Sequence, residues 1–343
     1  MFSISVCMIV KDEEPTLDRI LECALKFADE IIVVDTGSSD KSIDIARKYT
    51  DNVYNYEWCD DFSKARNYSI DLATSDYFMW LDADDYITDE EITKINKLKY
   101  TGTNTDVFMF KYSVGTFEFF RERLLKNNGK FKFNGAVHEA ITPSGKIEYL
   151  DIVIEHRKVK VNNPTRNIDI YEKLIKNGVT LSARDQYYYG RELYYIGKFS
   201  KSIKVLKKYL TLDSLYQPDE IGASIIISDN YFNMKKYNKS IESLMQCILK
   251  FTPTAEICCK LAQSFEATSN ISSAIFWYKS ATIAERYEMG FVNTEYYDII
   301  PYIELTRLLY HTNYQKSKHY HTLAKSINPH HPSVIYNEQF FQT

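Results

Sequence analysis

Three groups of carboxylates stand directly after short apolar runs. They are Asp12-Glu13-Glu14 after the run 4–10, Asp35 after 31–34, and Asp82-Ala83-Asp84-Asp85 after 77–81. Carboxylates gathered in one place repel one another unless a cation or several donors hold them, so the grouping points to a divalent ion. Hard oxygen ligands favour Mg²⁺ or Mn²⁺, and such ions commonly neutralise phosphate. The chain has neither a G-x-G-x-x-G loop nor a G-x-x-x-x-G-K-[ST] loop, which argues against dinucleotide dehydrogenases and P-loop nucleotidases. Phosphate would then be met by the ion and by basic side chains such as Arg66, Arg121, Arg123 and Lys126. An isolated Asp-x-Asp is a weak signal, expected about once by chance in a chain this acidic. Its place after a buried aromatic run gives it weight. Asp35 also has a plainer reading, as the cap of the next helix.

For these groups to meet, the runs before them must be neighbouring strands. Apolar, β-branched runs at 4–10, 31–34 and 77–81 alternate with helical spacing over 16–27, 40–49 and 63–73. That order predicts right-handed βαβ units and a mostly parallel α/β sheet, whose ligands bind beyond the carboxyl ends of the strands. After Pro164 the strand signals fade and tyrosine-rich helical stretches take over. The stretches 199–203, 237–241, 271–275 and 314–318 are alike, and their small residues Ser202, Ser240, Ala274 and Ser317 lie 38, 34 and 43 residues apart. Tyr231 and Phe265 each stand nine residues before the small residue of their repeat. A small residue lets two antiparallel helices approach while the aromatic fills the groove beside it, so the pattern predicts tetratricopeptide-like helical hairpins. The expected division is 1–165, α/β, and 166–343, all-α. A helical solenoid of this kind commonly binds protein or peptide, or forms homodimers.

Composition narrows the class. With 343 residues, 45% hydrophobic and 26% charged, the chain can bury two cores and is not disordered. Its formal charge of −4 gives no overall field for nucleic acid or anionic lipid. No apolar run nears the length of a membrane span, and the start resembles no secretory leader. Six scattered cysteines without a C-x-x-C suggest neither disulfides nor zinc. These features lead us to expect a reduced, cytoplasmic protein.

Four stretches now become recognisable in order: VCMIVKDEE (6–14), EIIVVDTGSSD (30–40), DFSKARN (61–67) and WLDADD (80–85). They resemble the motifs of family-2 glycosyltransferases with the GT-A fold. RERLLK (121–126) and FNGAVHE (133–139), followed by helical repeats, resemble the branch holding the sublancin-type bacteriocin peptide glycosyltransferases. The resemblance implies that Asp35 and Asp61 read the uracil or its surroundings, with Arg66 and Asn67 beside them and Arg123 at the donor phosphates. It implies that Asp82 approaches the ribose or donor sugar and that Asp84 holds Mg²⁺ or Mn²⁺. His156, after 152–155, would complete the metal shell, with His138 as competitor. Glu139 falls where such enzymes place the general base; the usual acidic pair reads His138-Glu139 here, so either residue fits that role. The implied activity is inverting, metal-dependent transfer from a UDP-sugar to Cys or Ser/Thr of a peptide, in bacteriocin maturation. A transferase acting on cell-envelope glycans and a non-catalytic scaffold with a vestigial α/β half are the rival readings.

Overall fold

Alternate side chains of β1 (Ile4–Val10) enter opposite cores: Ile4, Val6, Met8 and Val10 pack on one face and Cys7 on the other. The same alternation divides Ile31 and Val33 from Ile32 and Val34, and Tyr77 and Met79 from Phe78 and Trp80. A strand covered on both faces is apolar at nearly every position, and these runs carry that signature apart from Ser5, whose buried hydroxyl is satisfied by Glu30. In the computed structural model every residue is described except 102–103, 116, 160–162, 287–292 and 342–343. The chain forms two units, Met1–Val179 and Thr180–Thr343.

After β1, the first unit runs α1 (Leu17–Leu25), β2 (Glu30–Asp35), α2 (Ser42–Ala46), β3 (Val53–Asn55), α3 (Phe62–Asp71), β4 (Tyr77–Trp80) and β5 (Asp85–Tyr86). It continues with α4 (Asp89–Leu98), β6 (Val107–Val114), β7 (Phe117–Lys126), β8 (Ile147–His156) and α5 (Arg166–Lys176). The eight strands form one sheet in the order β3-β2-β1-β4-β7-β6-β8-β5. β1 pairs in parallel with β2 and β4, β2 with β3, and β6 with β8; β7 is antiparallel to both of its neighbours, and β5 to β8. The sheet is thus mixed and mostly parallel. Because two reversals cancel across β7, strands β6 and β8 run the same way as β4, and the end of β8 falls on the same edge as the end of β4. Helices α1, α2 and α4 cover one face, and α3 with residues 131–141 the other.

The helix expected over 40–49 closes early, because Lys48 and Tyr49 donate to carbonyls only three residues back and tighten the chain into turns. The units divide after Val179 and not at 165, since α5 belongs with the sheet. Tyr171 Oη donates to the Val137 carbonyl at 3.4 Å, Lys173 pairs with Asp60, and the Arg166 guanidinium lies 4.8 Å from the Phe62 ring centre.

The second unit is helical: α6 (Ala183–Tyr195), α7 (Phe199–Tyr209), α8 (Gln217–Asn233), α9 (Tyr237–Ile248), α10 (Ala255–Ala267), α11 (Ile271–Thr282), α12 (Glu295–Asp298), α13 (Ile300–Leu309), α14 (Tyr314–Ile327) and α15 (Pro332–Glu338). All four small residues of the repeat pattern are fully buried at helix contacts. Ser202 Oγ donates to the Gly190 carbonyl at 2.7 Å and accepts from Asn230 Nδ2 at 2.8 Å; Ser240 Oγ bonds to Ser228 Oγ at 2.6 Å and to Ser264 Oγ at 2.9 Å. A chain of hydroxyls thus links consecutive helix pairs. Gly190 sits where α6 meets α7, and a Cβ there would overlap the Leu206 side chain. Gly190→Ala should therefore cost about 1–3 kcal/mol of stability through overpacking, read as a lowered urea midpoint at unchanged slope. An unaltered midpoint would show the contact to be loose. No helix among the described residues is long and apolar enough to cross a membrane.

Candidate active site

The turn after β4 is closed by its own acids. Asp85 N–H donates to the Asp82 carbonyl at 3.0 Å, and Asp82 N–H donates to Asp85 Oδ2 at 2.9 Å. Asp85 is wholly buried, and its charge is met by Arg123, whose Nη1 lies 3.0 Å from Oδ2, while Tyr112 Oη donates to Oδ1 at 2.9 Å. Asp85 therefore shapes the turn and leaves Asp84 projecting from it. The Asp84 carbonyl is held in turn by the Arg157 N–H at 2.8 Å and by Arg19 Nη2 at 3.3 Å.

Pairing of β5 with β8 sets His156 opposite Asp85. Its Nδ1, buried and without a hydrogen-bond partner, faces Asp84 Oδ1 at 3.3 Å and Asp85 Oδ1 at 3.7 Å. Asp84, then Asp85, push the imidazole up to about 10 against the opposing effect of burial. One ligand atom from each of Asp84, Asp85 and His156 lies within 4.8 Å of the others. Two carboxylates and an imidazole are a donor set that suits Mn²⁺ or Mg²⁺, and the buried, unpartnered nitrogen fits such an ion. His138 is not in this group.

On the other side of the turn, Arg66 is buried between the rings of Trp80 and Phe133, at 5.1 and 5.3 Å. Its Nη2 donates to Asp82 Oδ1 and its Nε to Glu139 Oε1, both at 2.6 Å. A single guanidinium thus ties the acid expected at the donor to the acid expected as base. Burial disfavours the charged form of Asp82, but Arg66 and then Arg123 prevail and hold its carboxyl down at about 2. His138, beside Glu139, takes a left-handed φ of +53°, a strained conformation for a residue with a Cβ and one that clusters at functional turns.

The remaining expected residues fall in other places. Asp35 lies at the end of β2, two strands from β4 and so about 10 Å across the sheet, with its carboxylate accepting the N–H groups of Gly37 and Ser38. Asp61 caps α3, accepting Lys64 N–H at 3.1 Å and the Ser63 hydroxyl at 2.7 Å. Asn67 spends its amide on the backbone of Phe133, donating at 2.9 Å and accepting at 2.8 Å, which fixes the segment leading to Glu139 rather than facing a solute. Arg123, expected at the donor phosphates, is fully enclosed with its guanidinium 3.7 Å from the Trp80 ring centre and 4.3 Å from that of Tyr112. Its task is to neutralise Asp85. Asp12 and Asp40 tie two loops together: Asp12 accepts Ser39 N–H at 2.6 Å, and Asp40 accepts Glu14 N–H at 3.0 Å. The parts that sequence reasoning missed are Asp85, Tyr112 and the Arg66 bridge. Asp85 stood in the acidic string; nothing in the string marks it as the buried member.

A mostly parallel α/β sheet with a metal-ready acidic turn at the carboxyl end of a central strand is the framework of a GT-A-type sugar-nucleotide domain. Residues 5–147 match the family described as "Glycosyl transferase family 2", and the first unit is a glycosyltransferase family 2 domain. Among curated relatives, a TPR repeat-containing protein of Synechococcus elongatus is 34% identical over 152 residues, covering 42% of this chain and 36% of that one. The SPbeta prophage-derived glycosyltransferase SunS of Bacillus subtilis is 30% identical over 224 residues, covering 60% of this chain and 53% of its own. The chain thus spans between about a third and a half of the length of these relatives. Among solved structures, S. aureus TarS 1–349 is 14% identical with a TM-score of 0.38, covering 85% of this chain and 94% of that one.

Proposed function

We propose that the chain is a metal-dependent glycosyltransferase that moves a sugar from a UDP-sugar to a Cys or Ser/Thr side chain of a peptide, as in bacteriocin maturation. The observation that carries the catalytic part is the pair of linked acidic groups at one strand end: Asp84 with His156, and Asp82 bridged through Arg66 to Glu139. Asp84 and His156 would hold Mg²⁺ or Mn²⁺, with Asp85 fixing both. Bound there, the ion would supply positive charge to the leaving diphosphate. Asp82, kept ionised by Arg66, accepts hydroxyl groups of the donor. Glu139 has Oε1 committed to Arg66 and takes the acceptor proton on Oε2 as the new bond forms. A thiol acceptor asks less of this base than an alcohol, because it titrates near 8.5. The likeness to SunS, whose name marks it as a glycosyltransferase, supports sugar transfer, and the helical repeats support a polypeptide acceptor. Six free cysteines fit a reducing compartment such as the cytoplasm.

Incubation with Mn²⁺, UDP-glucose and Cys- and Ser-containing peptides should yield peptide bearing one hexose mass increment by mass spectrometry. Transfer only to a lipid-linked glycan would replace the peptide reading with the envelope one. No turnover of any sugar nucleotide would leave a scaffold.

A further inference from the structure

Tyr112 reaches the acidic turn from β6, a strand that supplies none of the candidate ligands. In the sheet β8 lies between β6 and β5, so the 2.9 Å bond from Tyr112 Oη to Asp85 Oδ1 spans the strand that ends in His156. The register makes this reach possible. Phe110 stands opposite Leu150, but the next residue, Lys111, stands opposite Val153, so β8 gains two residues on β6 at that step. An even slip leaves each side chain on its own face of the sheet. Tyr112 is thereby set opposite Ile154, and alternation along β8 puts His156 on the same face as Ile154 and the Tyr112 ring. The centres of the tyrosine and histidine rings are 5.7 Å apart, with the planes tilted by 50°.

The donors around Asp85 divide between its two oxygens. Oδ2 accepts from Arg123 Nη1 at 3.0 Å and from Asp82 N–H at 2.9 Å. Those two donors pin one oxygen, about which the carboxylate could still pivot. The Tyr112 hydroxyl removes that freedom by holding Oδ1. This is also the oxygen turned toward His156, whose Nδ1 lies 3.7 Å away, beyond hydrogen-bond length. Tyr112 thus sets how Asp85 stands to the unpartnered nitrogen of His156, and its own ring, only 7% exposed, is held by packing.

We propose that Tyr112 is a positioning residue of the metal centre, its hydroxyl setting Asp85 against His156 so that Asp84 and His156 can share one divalent cation. The inference rests on reading Asp84 and His156 as the ligands of Mn²⁺ or Mg²⁺, and names a residue outside the ligand set on which their affinity depends.

The experiment reads the ion and not sugar transfer. MnCl₂ is titrated into the full chain, alone and with UDP, and unbound Mn²⁺ is followed by its electron paramagnetic resonance signal. Tyr112→Phe, which deletes one oxygen and keeps the ring, should bind Mn²⁺ about 10–100-fold more weakly than the wild type, the range found when a group that orients metal ligands is removed. Its melting temperature without metal should fall by only roughly 5 °C, the size of one buried hydrogen bond, so the variant stays folded for the titration. Phe119→Leu alters the ring that packs edge-on against Tyr112 at 5.7 Å and leaves the hydroxyl in place. It should lower stability as well, but keep the Mn²⁺ affinity of the wild type. Undiminished Mn²⁺ affinity in Tyr112→Phe, or an equal loss in Phe119→Leu, would overturn the role given to Tyr112 and leave the ligands standing. A wild-type chain that binds no Mn²⁺ in either condition would instead remove the metal reading, and this proposal with it.

Discussion

Asp84→Asn should lower the rate of Mn²⁺-dependent sugar transfer by about 10³-fold, the size expected when several kcal/mol of charge stabilisation at the leaving group is lost. The turn itself should survive, because its closure depends on Asp85 and on backbone bonds to the Asp84 carbonyl, none of which uses the Asp84 carboxylate. Far-UV circular dichroism should therefore match the wild type, the melting temperature without metal should fall modestly because the Asp84–His156 pair is lost, and the stabilisation that Mn²⁺ gives the wild type should vanish. His156→Ala should produce a similar loss. The double variant should be little worse than either single, since residues serving one ion act as a unit. Wild-type turnover and wild-type metal response in Asp84→Asn would remove the ion from this site altogether.

The second large effect concerns stability. Asp85 and Arg123 are both fully buried and answer one another's charge at 3.0 Å, while two further nitrogens of Arg123 have no hydrogen-bond partner at all. Asp85→Asn would leave a guanidinium enclosed by Trp80 and Tyr112 without its hydrogen-bonded counter-charge, a change that costs about 3–5 kcal/mol when a buried pair loses one member. In a unit of this size that is a fall in melting temperature of roughly 10 °C. Arg123→Met together with Asp85→Asn should recover most of it, because the stranded charge is gone and Met fills the aromatic slot. If the double variant proves less stable than Asp85→Asn alone, the pair has a net stabilising value beyond mutual neutralisation.

What could be read without coordinates followed the physics of each element. β1, β2 and β4 are covered on both faces, so they are apolar almost throughout, with Ser5 bonded to Glu30 as the polar exception inside β1, and the runs stand out. Ser202, Ser240, Ala274 and Ser317 could be aligned because close helix approach demands a small side chain at each repeat, and all four are fully buried. β3 is three half-exposed residues at the sheet's end, too short to carry a pattern. The bond of Arg123 to Asp85 and that of Arg66 to Glu139 span 38 and 73 residues. Such pairs are decided by β7 lying beside β4 and by the 131–141 segment packing under the sheet. Local sequence shows an arginine and a carboxylate, with nothing to say whether the arginine faces a phosphate or a buried acid. For that reason Arg123 and Asn67 looked like ligand contacts and are internal fasteners.

The buried hydroxyls running from Ser202 and Asn230 through Ser228, Ser240 and Ser264 have an effect on the helical half that its apolar contacts would not have. Oily surfaces can slide past each other by part of a turn with small loss, whereas a hydroxyl moved off its acceptor inside the protein is stranded at about 1–3 kcal/mol. The stack is therefore indexed like meshed teeth, with one setting per joint. The packing from α6 to α10 is thus set joint by joint by directional bonds as well as by apolar contact.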